Sequence, residues 1–165
     1  MTIATINRFI QIFDQTFAAL RSTVPIHDIE RLAMLVHSAM ENKRRFYHTS
    51  MHVFDLCVGM KPLQVLAALF HDVVYYQLDN GFPQQSAVLL NGVVRHDNGS
   101  LILQQIDRDD APLQLCADIF GFKAGHILPL FGGMNEFLSA VVAIRLLQPY
   151  LPMRDLLAIV ASIEA

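Results

Sequence analysis

The chain has 165 residues, of which 53% are hydrophobic and only 16% charged, which excludes a disordered polymer and leads to the expectation of one folded domain spanning 1–165. A net charge of −3 and a pI near 6.1 leave no basic field for tracking a nucleic acid backbone, so no duplex partner is expected. Mean hydropathy is +0.38, yet no run approaches the ~18 uninterrupted apolar residues of a membrane span.

Asn7, Arg8 and Asp14 interrupt the apolar N-terminus and no basic leader precedes it, so a cytoplasmic protein is expected. Cys57 and Cys116 stand far apart, outside any Cys-x-x-Cys pair, and read as two buried thiols.

Ile3, Ile6, Ile10, Phe13, Phe17 and Leu20 are spaced by three and four, which predicts a first helix with one apolar stripe. Ser22-Thr23-Val24-Pro25 starts a second helix over 26–40, with Ile29, Leu32, Val36 and Ala39 on its inner face. A polar junction over 41–45 leads to a third helix, expected from about His48 to Met60, where Gly59 and Pro62 break it. Pro62 suits the first turn of a fourth helix reaching to about Tyr75, apolar nearly all round and therefore central.

Helical pattern returns over 84–95, weakly over 101–106, and again over 112–120, 135–147 and 154–163. Residues 121–133, rich in Gly and Pro, read as a loop or broken helix. No strand alternation stands out, so the expected fold class is all-α, one bundle of seven to eight helices. The N-terminal helices 3–40 are expected to pack on a core formed by 45–165. The sequence stops at Ser162-Ile163-Glu164-Ala165 within an apolar helical pattern, which fits a clipped chain or an end docked on a second copy, so a homodimer is an expectation.

Three His-Asp dipeptides occur, where random placement of 7 His and 11 Asp gives about half of one, so context must choose among them. His27-Asp28 lies in a helix first turn, where Asp is favoured by the dipole. His96-Asp97 runs into Asn98-Gly99 and reads as a helix end entering a turn. His71-Asp72 ends the most apolar segment. A carboxylate there is costly unless it is paired, hydrogen-bonded or bound to a metal, and a metal is the simplest partner. His48 and His52, four apart, are expected to stack about 6 Å apart on one helix face, able to share that metal.

Arg45-Phe46-Tyr47-His48-Thr49-Ser50-Met51-His52-Val53, followed by Ala67-Ala68-Leu69-Phe70-His71-Asp72-Val73-Val74-Tyr75, resembles the HD superfamily of metal-dependent phosphohydrolases. The likeness is closest to small bacterial HD phosphohydrolases with motifs near Tyr-His-Thr-x-x-His and Phe-His-Asp-Val-Val-Tyr. The Tyr-His-x-x-x-His spacing is also similar to that of cyclic nucleotide phosphodiesterases. It is strong over 45–76, moderate over the helical remainder and silent on substrate.

The resemblance implies an HD-like bundle in which His52, His71 and Asp72 are metal ligands and His48 is the general acid. It also implies a distal acidic ligand from a later helix, for which Glu136 is preferred and Asp118 is the alternative. A glutamate in that place departs from the family's usual Asp and lengthens the arm. Imidazole and carboxylate together suit one divalent transition ion, Mn, Fe, Zn, Ni or Co, over Mg. Arg44 and Arg45 could clamp phosphate through their forked donors. The expected activity is hydrolysis of a nucleotide or other small phosphoester by metal-activated water. The competing readings are a non-catalytic metal- or ligand-binding sensor on the same scaffold and a di-iron oxygenase.

Overall fold

Pro62 opens α4 (Pro62–Phe70) at a position where a missing N–H costs nothing, and Gln64 Oε1 accepts from the Lys61 N–H at 3.1 Å to close the start. Val65 through Phe70 are all buried, so this helix needs cover on every side. Cover comes from α1 (Thr5–Ala19), α3 (Ser50–Cys57), α8 (Met134–Leu147) and α9 (Met153–Glu164), each of which packs on α4. The computed structural model describes residues 4–165, so Ile3, the first residue of the expected stripe, lies outside the described residues.

On α1 the fully covered ridge is Phe9, Phe13 and Phe17, spaced by four, with Ile6 and Ile10 only partly buried. The inner face is therefore rotated from the expected stripe toward the larger rings. Phe13 meets Phe70 of α4 edge-on, their centroids 5.9 Å apart, and Phe9 meets Phe54 of α3 at 4.6 Å. α2 (Ile26–Met40) covers the other side of α1 and buries Ile29, Leu32, Val36 and Ala39, as its spacing predicts.

Two helix boundaries differ from expectation, and both matter to the site. α3 begins at Ser50 with Thr49 as its cap, so His48 precedes the helix and does not share a helix face with His52. α4 ends at Phe70, and the expected last turn to Tyr75 is an irregular segment. It leads into a short α5 (Tyr76–Asp79) and then α6 (Gln84–Leu90).

The expectation of no strands is corrected. β1 (Val94–Asp97) pairs antiparallel with β2 (Ser100–Leu103), Val94 opposite Leu103 and Asp97 opposite Ser100. Asn98 and Gly99 both have positive φ, 47° and 80°, as a two-residue type I′ hairpin turn requires. His96-Asp97 therefore closes a strand and not a helix. The irregular stretch 121–133 is strapped to this hairpin: Leu103 N–H donates to His126 C=O at 3.0 Å, and Leu128 N–H to Leu101 C=O at 2.8 Å.

The described residues are mostly helical, with nine helices and this one hairpin, against the expected seven or eight helices. None of the helices is long and apolar enough to cross a membrane. Cys116 is buried, which pushes its thiol up to about 12; Cys57, expected to be buried, is only partly covered.

Side-chain ties join the ends of the bundle. Tyr150 Oη donates to Asp28 Oδ2 at 2.6 Å, so the His27-Asp28 dipeptide is structural. Asp110 caps α7 (Ala111–Phe120) by accepting from the Leu113 N–H, and Arg145 of α8 grips both its oxygens, at 3.0 and 2.5 Å.

The Arg145 guanidinium holds the Asp110 carboxyl below the ordinary carboxylate range, against partial burial. A depressed folded-state pKa stabilises above the unfolded value, about 3.9, and its contribution is lost as pH falls through the folded one. Asp110→Asn keeps a cap and removes the ion pair, so it should cost about 0.5–1 kcal/mol near neutral pH. That difference, measured by urea unfolding, should vanish in acid; a cost independent of pH would place it in the cap alone.

Candidate metal centre

The end of α4 leaves its last carbonyls without helical partners, and one of them places the first functional side chain. His71, the residue that caps α4, donates from Nδ1–H to the Ala68 carbonyl at 2.8 Å. That bond fixes the ring orientation and points Nε2 at Asp72 Oδ2, 2.8 Å away, to which Nε2–H donates. His52, in the first turn of α3, is oriented with the cap: its own N–H is 3.4 Å from Thr49 Oγ1.

One ligand atom from each of His52, His71 and Asp72 lies within 4.8 Å of the others, a group that can hold a metal ion. Ligands about 2.0–2.3 Å from a common ion sit roughly 3–4.5 Å apart, so little side-chain movement separates this arrangement from coordination. Two imidazoles and a carboxylate are also the donor set that divalent transition ions prefer.

Asp72 Oδ2 also takes His48 Nδ1 at 2.5 Å, although His48 lies outside α3. The His48 and His52 rings are 6.2 Å apart, close to the spacing expected of a helical pair but reached through the turn before the cap. Tyr75 packs against His48 with ring centroids 4.8 Å apart. Burial opposes the charge on both partners of the His71–Asp72 pair and is outweighed by their mutual hydrogen bond and attraction. Asp72 is held below the usual carboxylate range, and His71 is raised above the usual imidazole value.

Arg45 is not a phosphate clamp. Its side chain is fully buried: Nε and Nη2 pair with Asp79 at 3.0 and 2.6 Å, and Nη1 donates to the Asp72 carbonyl at 2.5 Å. Arg44 is exposed. Asp79 is further held by Asn42 Nδ2 at 2.8 Å. From the opposite side, Ser139 of α8 accepts from the Val74 N–H at 3.0 Å, and Asn135, one turn earlier, accepts from the Tyr76 N–H at 2.9 Å. Arg45, Asp79, Ser139 and Asn135 thus shape the segment that carries Asp72, and none of the four was visible as such in the motifs.

Of the two expected distal ligands, neither joins the group of three. Asp118 is exposed on α7 and accepts from Gln114 Nε2 at 3.1 Å. Glu136 is exposed on the first turn of α8 and lines a cleft that includes Tyr75; its charge contributes to raising His71. Comparison with family models, with curated proteins and with solved structures found no match, so the site is read from its own geometry.

Removing one partner of a buried ion pair strands the other charge, at a cost of about 3–5 kcal/mol. Arg45→Met and Asp79→Leu should each destabilise by that order. The double variant should regain part of the stability, yet still bind divalent metal more weakly, because the donor to the Asp72 carbonyl is gone. Metal affinity restored along with stability would show that Arg45 serves the fold alone.

Proposed function

We propose that this chain is a metal-dependent phosphohydrolase of the HD type, acting on a small phosphoester such as a nucleotide. The observation that carries the reading is the convergence of His52, His71 and Asp72 on one point, since these are the three residues the HD resemblance marks as ligands. One ion of Mn, Fe, Zn, Ni or Co fits three such ligands. When bound, a divalent ion acidifies water to hydroxide near neutral pH and polarises a phosphoryl oxygen, which is what phosphoester hydrolysis needs.

The remaining chemistry belongs to the chain. His48 donates from Nδ1 to Asp72 Oδ2 at 2.5 Å, so the carboxylate orients the ring and Nε2 is the nitrogen free to exchange a proton. It serves as the general acid, protonating the alkoxide as it leaves. An imidazole held by one nitrogen can pass a proton through the other. Tyr75 against the His48 ring limits its rotation. With Arg45 committed to Asp79, Arg44 is the arginine of the junction left for phosphate.

Elemental analysis and a phosphoester panel, with 4-nitrophenyl phosphate and nucleoside monophosphates, test the reading on the whole chain. Wild type should carry about one divalent transition ion and turn over at least one ester. His52→Ala and His71→Ala should lose ion and turnover together. His48→Ala should retain the ion and lose about 10²–10⁴-fold in rate. A wild type that binds no divalent ion, or a His48→Ala variant of full activity, would contradict the proposal.

A further inference from the structure

At the N-terminal end of α8 lies a cleft of about 370 Å³ that no step above uses, lined by Tyr75, Gln77, Leu130, Phe131, Asn135 and Glu136 among others. Its size is at the lower end of small-molecule sites. Tyr75 joins it to the proposed general acid, because the same ring packs on His48 at 4.8 Å between centroids.

The chemistry of the lining is one-sided. Gln77 and Asn135 are spent on each other and on main chain: Asn135 Nδ2 donates to Gln77 Oε1 at 2.8 Å, and Gln77 Nε2 to the Leu130 carbonyl at 2.7 Å. Glu136 forms no ion pair among the described residues and is the one formal charge of the lining named above. The first turn of a helix favours an acidic residue in any case, so Glu136 alone marks nothing. The rings mark more. Phe131 is 98% exposed at the rim of the cleft, a place where an aromatic side chain gains nothing from the fold.

Aromatic side chains and an unpaired carboxylate lining one cleft can recognise an organic cation: the rings attract it through their quadrupoles and the carboxylate neutralises it. An additional anionic group would meet Glu136 and find no cation there, since no Lys, Arg or His lines the cleft.

We propose that this cleft binds an alkylammonium group, so that among small phosphoesters those carrying a cationic amine on their alcohol side are preferred. The substrate class is a zwitterionic phosphomonoester, its phosphate at His52, His71 and Asp72 and its ammonium between Tyr75, Phe131 and Glu136. This rests on the phosphohydrolase reading for the phosphate end and on the cleft alone for the ammonium end.

The test compares phosphocholine with 3,3-dimethylbutyl phosphate, its isostere without the ammonium charge, and choline with 3,3-dimethylbutanol, by titration calorimetry on the metal-loaded chain and by phosphate release. Wild type should prefer the cationic member of each pair by about 3- to 30-fold. Glu136→Gln should abolish that preference with metal content equal to wild type, and Phe131→Ala, at an exposed position, should reduce it. Equal affinity for the two members of each pair, a preference that persists in Glu136→Gln, or loss of the ion from that variant would overturn the proposal. The choline pair carries no phosphate, so the two readings fail separately. Choline preference without hydrolysis of either ester sustains the cleft and contradicts the phosphohydrolase; hydrolysis of both esters at equal efficiency does the reverse.

Discussion

The buried contact between Arg45 and Asp79 is the constraint on which the site depends. A guanidinium with no solvent exposure must satisfy its donors inside the protein, and this one does so with both oxygens of Asp79 and with the Asp72 carbonyl. The three contacts tie the junction before α3, the segment after α4 and the end of α5 to one point. His48 is three residues from Arg45, and Asp72 accepts from it directly, so the pair sets the distance between the proposed general acid and the carboxylate that orients it. Asn42 and the Tyr75 N–H add further donors to Asp79, which leaves that carboxylate little freedom to move.

A helix end does the rest. Stopping α4 at Phe70 frees the Ala68 carbonyl, and His71 satisfies it with Nδ1, turning Nε2 toward Asp72. A longer helix would have spent that carbonyl on a backbone N–H and left the imidazole unfixed. The stop is enforced from α8, where Ser139 and Asn135 take the backbone groups of Val74 and Tyr76 that a continued helix would have paired. The residues that end the helix therefore also set the geometry of the group that could hold a metal ion.

What could be read from the chain follows the range of the interactions involved. α1, α2 and the helices after residue 110 announce themselves by local periodicity, and their spans agree closely with expectation. His71 and Asp72 were legible because a histidine and an aspartate that end an apolar run need a partner, whereas the choice of His52 over His48 came from the resemblance to the HD superfamily. The hairpin was hidden because Leu101, Ile102 and Leu103 are all buried, which removes the alternation that reveals a strand. Asn98-Gly99 was the signal that could have found it. The end of α4 was hidden because Val73 and Val74 continue the apolar run, and the side chains that stop the helix arrive from more than sixty residues away. Arg45 read as a free cation because its partner lies thirty-four positions downstream.

The central claim is that two imidazoles and one carboxylate gather a single divalent ion at the end of α4. X-ray absorption at the metal edge, on the full chain loaded with one equivalent of zinc or manganese, tests it most directly. Two imidazole nitrogens and at least one oxygen at about 2.0–2.3 Å, with imidazole scattering halved in His71→Ala, is the result expected. A shell of water oxygens alone, or one unchanged by His71→Ala, would contradict it.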